Sequence, residues 1–270
     1  MNARVWAVWA RPGVISSAAV LMIAVAWAVA PGLWTSHNPI SGGDTQALLA
    51  PSTQHWFGTD EVGRDLYTRV IFGARQSLAG ALLAVALGLS VGTVLGVVAG
   101  VLRGFVETII MRVVDVLLSI PSLLLSLSVI IALGQGTVHA ALAVGVTSIA
   151  TFARLARSQV LSVMEQDYVE AGYGSGGTRA QVVYRHVLPN SLTPVVALAA
   201  VQFGSAMLQL ATLGFLGYGA PPPTPEWGLL IAESRDYIAT AGWLALLPGA
   251  VVIAVVLAAN HLAHILRKAV

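Results

Sequence analysis

Cysteine is absent from the 270 residues. With no thiol there is no disulfide framework, no thiolate nucleophile and no cysteine-held metal, and the redox compartment stays open. Charge is nearly as scarce. Asp, Glu, Lys and Arg together make up 10% of the chain, where an ordinary soluble domain carries about a quarter. Hydrophobic residues account for 57%, and the mean hydropathy is +0.81. Such a composition excludes a water-soluble enzyme, a disordered tail and a nucleic-acid-binding module. The net charge of +2 comes from 14 basic and 12 acidic residues, so few that their placement matters more than their sum.

What the chain does have is long stretches free of charge. A helix crossing a bilayer needs about 20 apolar residues, because hydrocarbon offers its backbone no hydrogen-bond partner. No Asp, Glu, Lys or Arg occurs in 12–43, 76–102, 116–153, 186–225 or 237–266. The apolar part of the first gap is 14–34. The third gap is too long for one helix, and Gly134-Gln135-Gly136-Thr137 reads as a turn that divides it. Prolines 189 and 194 break the start of the fourth gap, and Pro221-Pro222-Pro223 breaks its end. The expectation is an all-α, polytopic membrane protein with six transmembrane helices. Residues 1–34 form an end and the first span, 35–75 a loop and helix start on the far side, and 76–270 a five-helix core with a polar loop at 154–190.

Loop charge orients the bundle. Arg4, Arg11, Arg103, Arg112, Arg154, Arg157, Arg179, Arg185, Arg267 and Lys268 fall on one side, against Arg64, Arg69, Arg75 and Arg235 on the other. The positive-inside rule places the richer side, and both termini, in the cytoplasm of a cell bounded by this membrane. The start of the chain also has the outline of a signal peptide, with Arg4 and Arg11 before an apolar run and Ala28-Val29-Ala30 as a small-residue cleavage site. The run is longer than a usual signal core and Pro31 follows the site directly, so the first helix is expected to be retained.

Within the second span Gly80, Ala84, Gly88, Gly92, Gly96 and Gly100 recur every four residues. That spacing keeps them on one helical face, where small side chains let another backbone approach closely. The partner is either another helix of the bundle or a second subunit. No ionisable residue sits in the middle of any span, which argues against an ion-coupled secondary transporter, since such carriers need charged groups at depth. His261 and His264 share a face of the last helix but lack further ligands, so no metal or haem site is expected.

The polar loop reads Glu165-Gln166-Asp167-Tyr168-Val169-Glu170-Ala171-Gly172, then a glycine-rich turn, then Thr178 through Leu188-Pro189-Asn190. Two short helices are expected around the turn, with Thr178 as N-cap and Pro189 starting the return to the membrane. The glycines do not form a phosphate-binding loop, for no lysine accompanies them. On the opposite side, Gly58-Thr59-Asp60-Glu61-Val62-Gly63-Arg64-Asp65 predicts a helix capped by Thr59, with Asp60 and Glu61 in its first turn and an Asp65–Arg69 pair.

These segments carry a resemblance. Glu170, Ala171, Gly176, Leu188 and Pro189 match the Glu-Ala-Ala, three residues, Gly, nine residues, Ile-x-Leu-Pro signature of ABC importer permeases. Gly172 stands for the second alanine and His186 for the isoleucine. The stretch from Gly58 to Asp65 resembles the Gly-Thr-Asp-Glu-x-Gly-Arg-Asp element of the C-type subunit of the dipeptide, oligopeptide and nickel permease family. Leu213-Gly214-Phe215-Leu216-Gly217-Tyr218-Gly219, followed by Pro221 to Gly228 with Glu226 and Trp227, resembles that family's segment after the fifth span. Asn260-His261-Leu262-Ala263-His264 departs from its usual Asn-x-x-Gly-Asp. The resemblance implies a type I ABC importer permease fold and a non-catalytic subunit that moves di- or oligopeptides into the cell, with a nickel or metallophore importer as the alternative. It further implies a second, B-type permease, two ATPase subunits that bind ATP and Mg, and an extracytoplasmic solute-binding protein. Glu170, Ala171, Gly172, Gly176, Leu188 and Pro189 would couple to the ATPases. Asp60, Glu61, Arg64, Asp65, Glu226 and Trp227 would make contacts on the outer face.

Overall fold

The computed structural model describes residues 12–42 and 46–269, with side chains through Ile265. Arg4, Arg11 and the side chains of Arg267 and Lys268, used above to orient the chain, lie outside that description. Helix α1 spans Pro12–Val29 and a 3-10 turn, Pro31–Leu33, follows it. After an irregular loop come α2 (Leu66–Leu102), α3 (Gly104–Ser119), α4 (Ser122–Leu133) and α5 (Thr137–Met164). The polar loop holds α6 (Asp167–Gly174) and α7 (Arg179–Val182), which runs through a π turn, Val183–Val187, into α8 (Leu188–Phe215). Helix α9 (Trp227–Glu233), a 3-10 turn (Ser234–Tyr237) and α10 (Trp243–Ala269) complete the chain.

Helices α1, α2, α5, the run Arg179–Phe215 and α10 are each long and apolar enough to cross a membrane. The expected third span is not one rod: α3 and α4 meet at 99°. Ile120 precedes Pro121, whose ring pushes it out of the helical region. Both residues are extended, at ψ 130° and 129°, and two extended residues in succession turn the chain. Helix α4, with 12 residues, is about 18 Å long, short of the roughly 30 Å hydrocarbon core. The sixth span therefore exists only as this bent pair.

Helix α2 is the spine. Its 37 residues extend about 55 Å, so it protrudes beyond a hydrocarbon core. Its small-residue stripe packs on α5 of the same chain rather than on a second subunit. A Cβ placed at Gly88 would lie 2.6 Å from Ser148 Cβ, and one at Gly92 2.5 Å from the Ile149 carbonyl. At Gly96 the obstacles are the Ala153 carbonyl and Ala156 Cβ, and at Gly100 they are Val160 and the Arg157 carbonyl. The obstacles climb α5 in register with the glycines, so the two helices touch backbone to backbone. Gly80, about two turns further up, faces Leu210 of α8 and Thr137 of α5. The remaining helices close around this pair: α8 packs on α2 and α5, α10 on α8, and α1 on α2 and α10.

Proline 189 stands in the first turn of α8, as the sequence suggests, but α8 continues from α7 through the π turn as one unbroken helical run. The proline's missing N–H leaves the Arg185 carbonyl without its helical donor and its ring crowds that turn. The π turn at Val183–Val187 is where the helix widens to admit it.

Leucine at Gly92 or Gly96 would be driven into a backbone carbonyl that no rotamer change can move. Each substitution is expected to destabilise the fold by about 1–3 kcal/mol or more. The loss should appear as a lowered melting temperature of the detergent-purified chain itself. A drop seen only when a partner is present would place the stripe at a subunit interface instead.

Candidate functional site

Two clusters lie at opposite ends of the bundle, and α2 reaches both. At the end where α5 leaves the bundle, Val160, Val169, Val182 and Val187 form a small buried core, flanked by Val97, Val101, Val163 and Met164. It exists because α6 places Val169 inward while Tyr168, Glu170 and Ala171 stay exposed. The chain then reverses. Gly177 N–H donates to the Gly172 carbonyl at 3.2 Å, and Gly176 lies at φ +86°, a conformation that side chains with a Cβ resist. Thr178 is the N-cap as expected, and Gln181 completes a capping box with it. Arg179 donates to the Val101 carbonyl at the end of α2, which ties the loop to the spine. Beside it, Arg157 pairs with Glu107 and Arg154 with Asp115, holding α3 to α5.

A cleft of about 640 Å³ opens on this loop, lined by Tyr168, Ala171, Gly172, Gln181, Arg185 and His186 among others. The two positions that depart from the family signature meet inside it. A Cβ at Gly172 would sit 3.5 Å from His186 Cδ2, an ordinary contact. The bulkier imidazole thus stands opposite the smaller residue. Tyr168 lies edge-on to the same ring at 6.4 Å. Leu188 and Pro189 fall outside the cleft, in the first turn of α8.

The opposite end is built differently from the sequence expectation. Helix α2 starts at Leu66, not after Thr59, and its N-cap is Asp65, which accepts from Thr68 N–H. Thr59 instead accepts from Leu49 N–H and donates to the Gln46 carbonyl, stitching the loop to itself. Asp65 does not pair with Arg69; its other oxygen lies 2.8 Å from His55 Nδ1. Arg69 is fully buried. Its Nη1 donates to Asp60 Oδ2 at 2.5 Å, and its Nη2 lies 3.0 Å from Glu233 Oε2, close as an ion pair but not aligned as a hydrogen bond. Arg64 donates to Asp60 at 2.6 Å and to Glu61 at 3.1 Å. Asp60, Arg64, Asp65, Glu226 and Trp227 are each buried. As candidates for outer-face contacts they are corrected: their side chains hold this end of the protein together, and of the six only Glu61 is partly exposed. Glu233 was not foreseen, because nothing in linear spacing links it to Arg69.

Glu226 sits where α8 and α9 meet. It accepts from Ala220 N–H at 3.4 Å and from Gly228 N–H at 3.3 Å. Gly214 and Gly219 make room for it, since a Cβ at either would strike its carboxyl. Burial pushes its pKa up to about 7, against the pull of those two amides. Burial also raises Glu233, with Arg69 pulling the other way. Next to Glu226, Trp227 is locked to α2 through Nε1 donating to the Val70 carbonyl at 2.8 Å and its amide donating to Ser77 Oγ at 3.2 Å.

Two outcomes follow. Replacing Arg69 with methionine leaves buried Asp60 with Arg64 alone and half-buried Glu233 with its nearest cation, Arg64, at 4.0 Å, and should destabilise the fold by about 3 kcal/mol in denaturant titrations. For Glu226, the folded pKa exceeds the unfolded one, so its favourable contribution is complete below about pH 4.5 and is lost as pH rises toward about 7. The full span amounts to about 3 kcal/mol. Melting temperature should fall across that window, and Glu226→Gln should flatten the fall; an unchanged slope in the variant would assign it to other groups.

Comparison with known proteins agrees with this architecture. Residues 92–270 match the family model described as "Binding-protein-dependent transport system inner membrane component". The chain is 38% identical over 257 residues to the dipeptide transport system permease protein DppC of Alkalihalophilus pseudofirmus, covering 95% of this chain and 83% of that one. It is 42% identical over 219 residues to the glutathione transport system permease protein GsiD of Shigella flexneri, covering 81% and 72%. Among solved structures, a chain of the MetNI methionine ABC transporter in an inward-facing conformation superposes with a TM-score of 0.58 at 20% identity, covering 73% of this chain and 96% of that one. The fold is thus that of an ABC importer permease, and the chain belongs to the family of binding-protein-dependent transport system inner membrane components.

Proposed function

We propose that this chain is one of two permease subunits of an ATP-driven importer that carries di- or oligopeptides into the cell. The residues at 154–190 face the cytoplasm, as the concentration of arginine at that end favours, and residues 34–65 and 217–242 face outward. The observation that carries the reading is mechanical. The segment from Arg179 to Phe215 is one helical run, so the docking loop and a membrane-crossing helix form a single lever. ATPase subunits that bind ATP and Mg, seated against the cleft beside Glu170 and Gly172, would move that lever when they close. The spans would then rock between inward- and outward-open states, an equilibrium shifted by nucleotide and by a solute-binding protein at the other end. The chain itself does no bond chemistry. Peptides are favoured over nickel or a metallophore because DppC and GsiD are named for dipeptide and glutathione transport.

Glu170→Ala, and any bulky residue at Gly176, should reduce ATPase co-purification or uptake at least tenfold while leaving membrane insertion intact. Full uptake with normal co-purification in both variants would remove the docking role. Uptake of labelled di- and oligopeptides by a strain lacking this chain, against labelled nickel, decides the substrate. Gly172→Ala should be accepted, since the space exists, and should stiffen α6 by about 1 kcal/mol.

A further inference from the structure

At the outer end, apart from the arginine cluster, a cleft of about 410 Å³ lies between the end of α1 and the start of α2. Trp34, Trp56 and Tyr67 line it, together with Thr35, His37, Gln54 and Asp65. The rings form one connected group. Trp56 and Tyr67 centroids are 5.0 Å apart, Phe57 stands edge-on to Tyr67 at 5.2 Å, and Trp27 bridges Tyr67 and Trp34 at 6.3 and 6.4 Å. Among the described residues of the lining, Asp65 is the one with a full formal charge, for Arg64 turns its guanidinium away to Asp60. Each Asp65 oxygen already accepts one hydrogen, from Thr68 N–H and from His55, and each keeps a lone pair for another donor.

A buried carboxylate lining a cleft beside aromatic rings is the chemistry that recognises an ammonium cation: the charge is met by the carboxylate and the CH2 and NH groups by the ring quadrupoles. We infer that this cleft is a binding site for a primary ammonium group, and that the group is the ethanolamine headgroup of a membrane phospholipid. The choice of a lipid rests on position. Val29 and Leu33, at the rim, are 78% and 85% exposed, and apolar surface of that kind beside Trp34 lies against acyl chains. Interfacial tryptophan and tyrosine mark the depth of the headgroups. The site sits where α1 meets α2, so an occupant would pin α1 to the core at its outer end. This inference does not depend on which solute the transporter carries.

The test uses the assembled transporter in nanodiscs made of phosphatidylglycerol alone or with phosphatidylethanolamine, with lipid retained after extraction counted by native mass spectrometry. Phosphatidylethanolamine should be retained over phosphatidylglycerol by roughly tenfold. Asp65→Asn, which keeps the helix cap because asparagine caps as well as aspartate but weakens the His55 pair, and Trp56→Ala, at an exposed position, should both abolish the preference, and Trp56→Ala should do so without lowering the melting temperature. A second arm follows tryptophan fluorescence in phosphatidylglycerol discs as a free dipeptide or its N-acetylated form is added. A response to the free amine alone, with no lipid preference, would overturn the lipid assignment and make a soluble amine the occupant. Equal retention of both lipids by wild type and variants, with no fluorescence response, would overturn the ammonium site.

Discussion

The backbone contact between α2 and α5 is the constraint on which the other parts depend. In hydrocarbon no hydrophobic effect drives helices together, so close packing and dispersion must do it. Glycine at 88, 92, 96 and 100 removes the side chains that would hold the axes apart, and α5 answers with Ser148, Ala153, Ala156 and backbone carbonyls. Once that seam is set, both ends of α2 are set. Its first turn supplies Arg69 and Asp65, and its last turn supplies the Val101 carbonyl that Arg179 engages. The two ends are thus held in relation to one another by a single rigid element.

The ends are stabilised by different physics. At the loop end a handful of valines and a capping box shape a partly exposed surface, and its exposed tyrosines, Tyr168, Tyr173 and Tyr184, remain on the outside. Exposure there suits a surface that another subunit covers. At the opposite end three carboxylates and two guanidiniums are packed with little water. Desolvating them is costly, and only their mutual pairing offsets that cost. Such an arrangement contributes geometric definition more than net stability, since either partner left alone is heavily penalised. Glu226, which burial keeps uncharged to a higher pH than an ordinary carboxylate, sits in a glycine cradle between α8 and α9 and ties the end of one spanning helix to the turn before the next.

Much of this was legible in the chain. The gaps between charges located the spans because a bilayer excludes unpaired charge, a rule that acts on each segment locally. The four-residue glycine period revealed a packing face, and Thr178 revealed a helix start, because both signals lie within one or two turns. The string from Gly58 to Asp65 misled for the same reason. Its residues read as a well-capped helix in isolation, yet Asp60 is recruited by Arg64 and Arg69 and Thr59 by residues 46 and 49, contacts that local propensity does not contain. The third span misled more simply, since hydropathy does not register the bend that a proline imposes.

The sequence by itself determined that this protein lives in a membrane and roughly where it crosses, for both follow from short-range composition and spacing, while the loop at 154–190 was singled out by resemblance to a family signature. Only the tertiary structure decided that the glycine stripe serves this chain's own bundle, that Glu233 completes the Arg69 cluster, that the two departures from the signature, Gly172 and His186, face each other, and that Asp65 shares a cleft with aromatic rings. Each of those joins residues distant in the chain or turned toward one another by a loop, and their meeting depends on where the packed helices bring them.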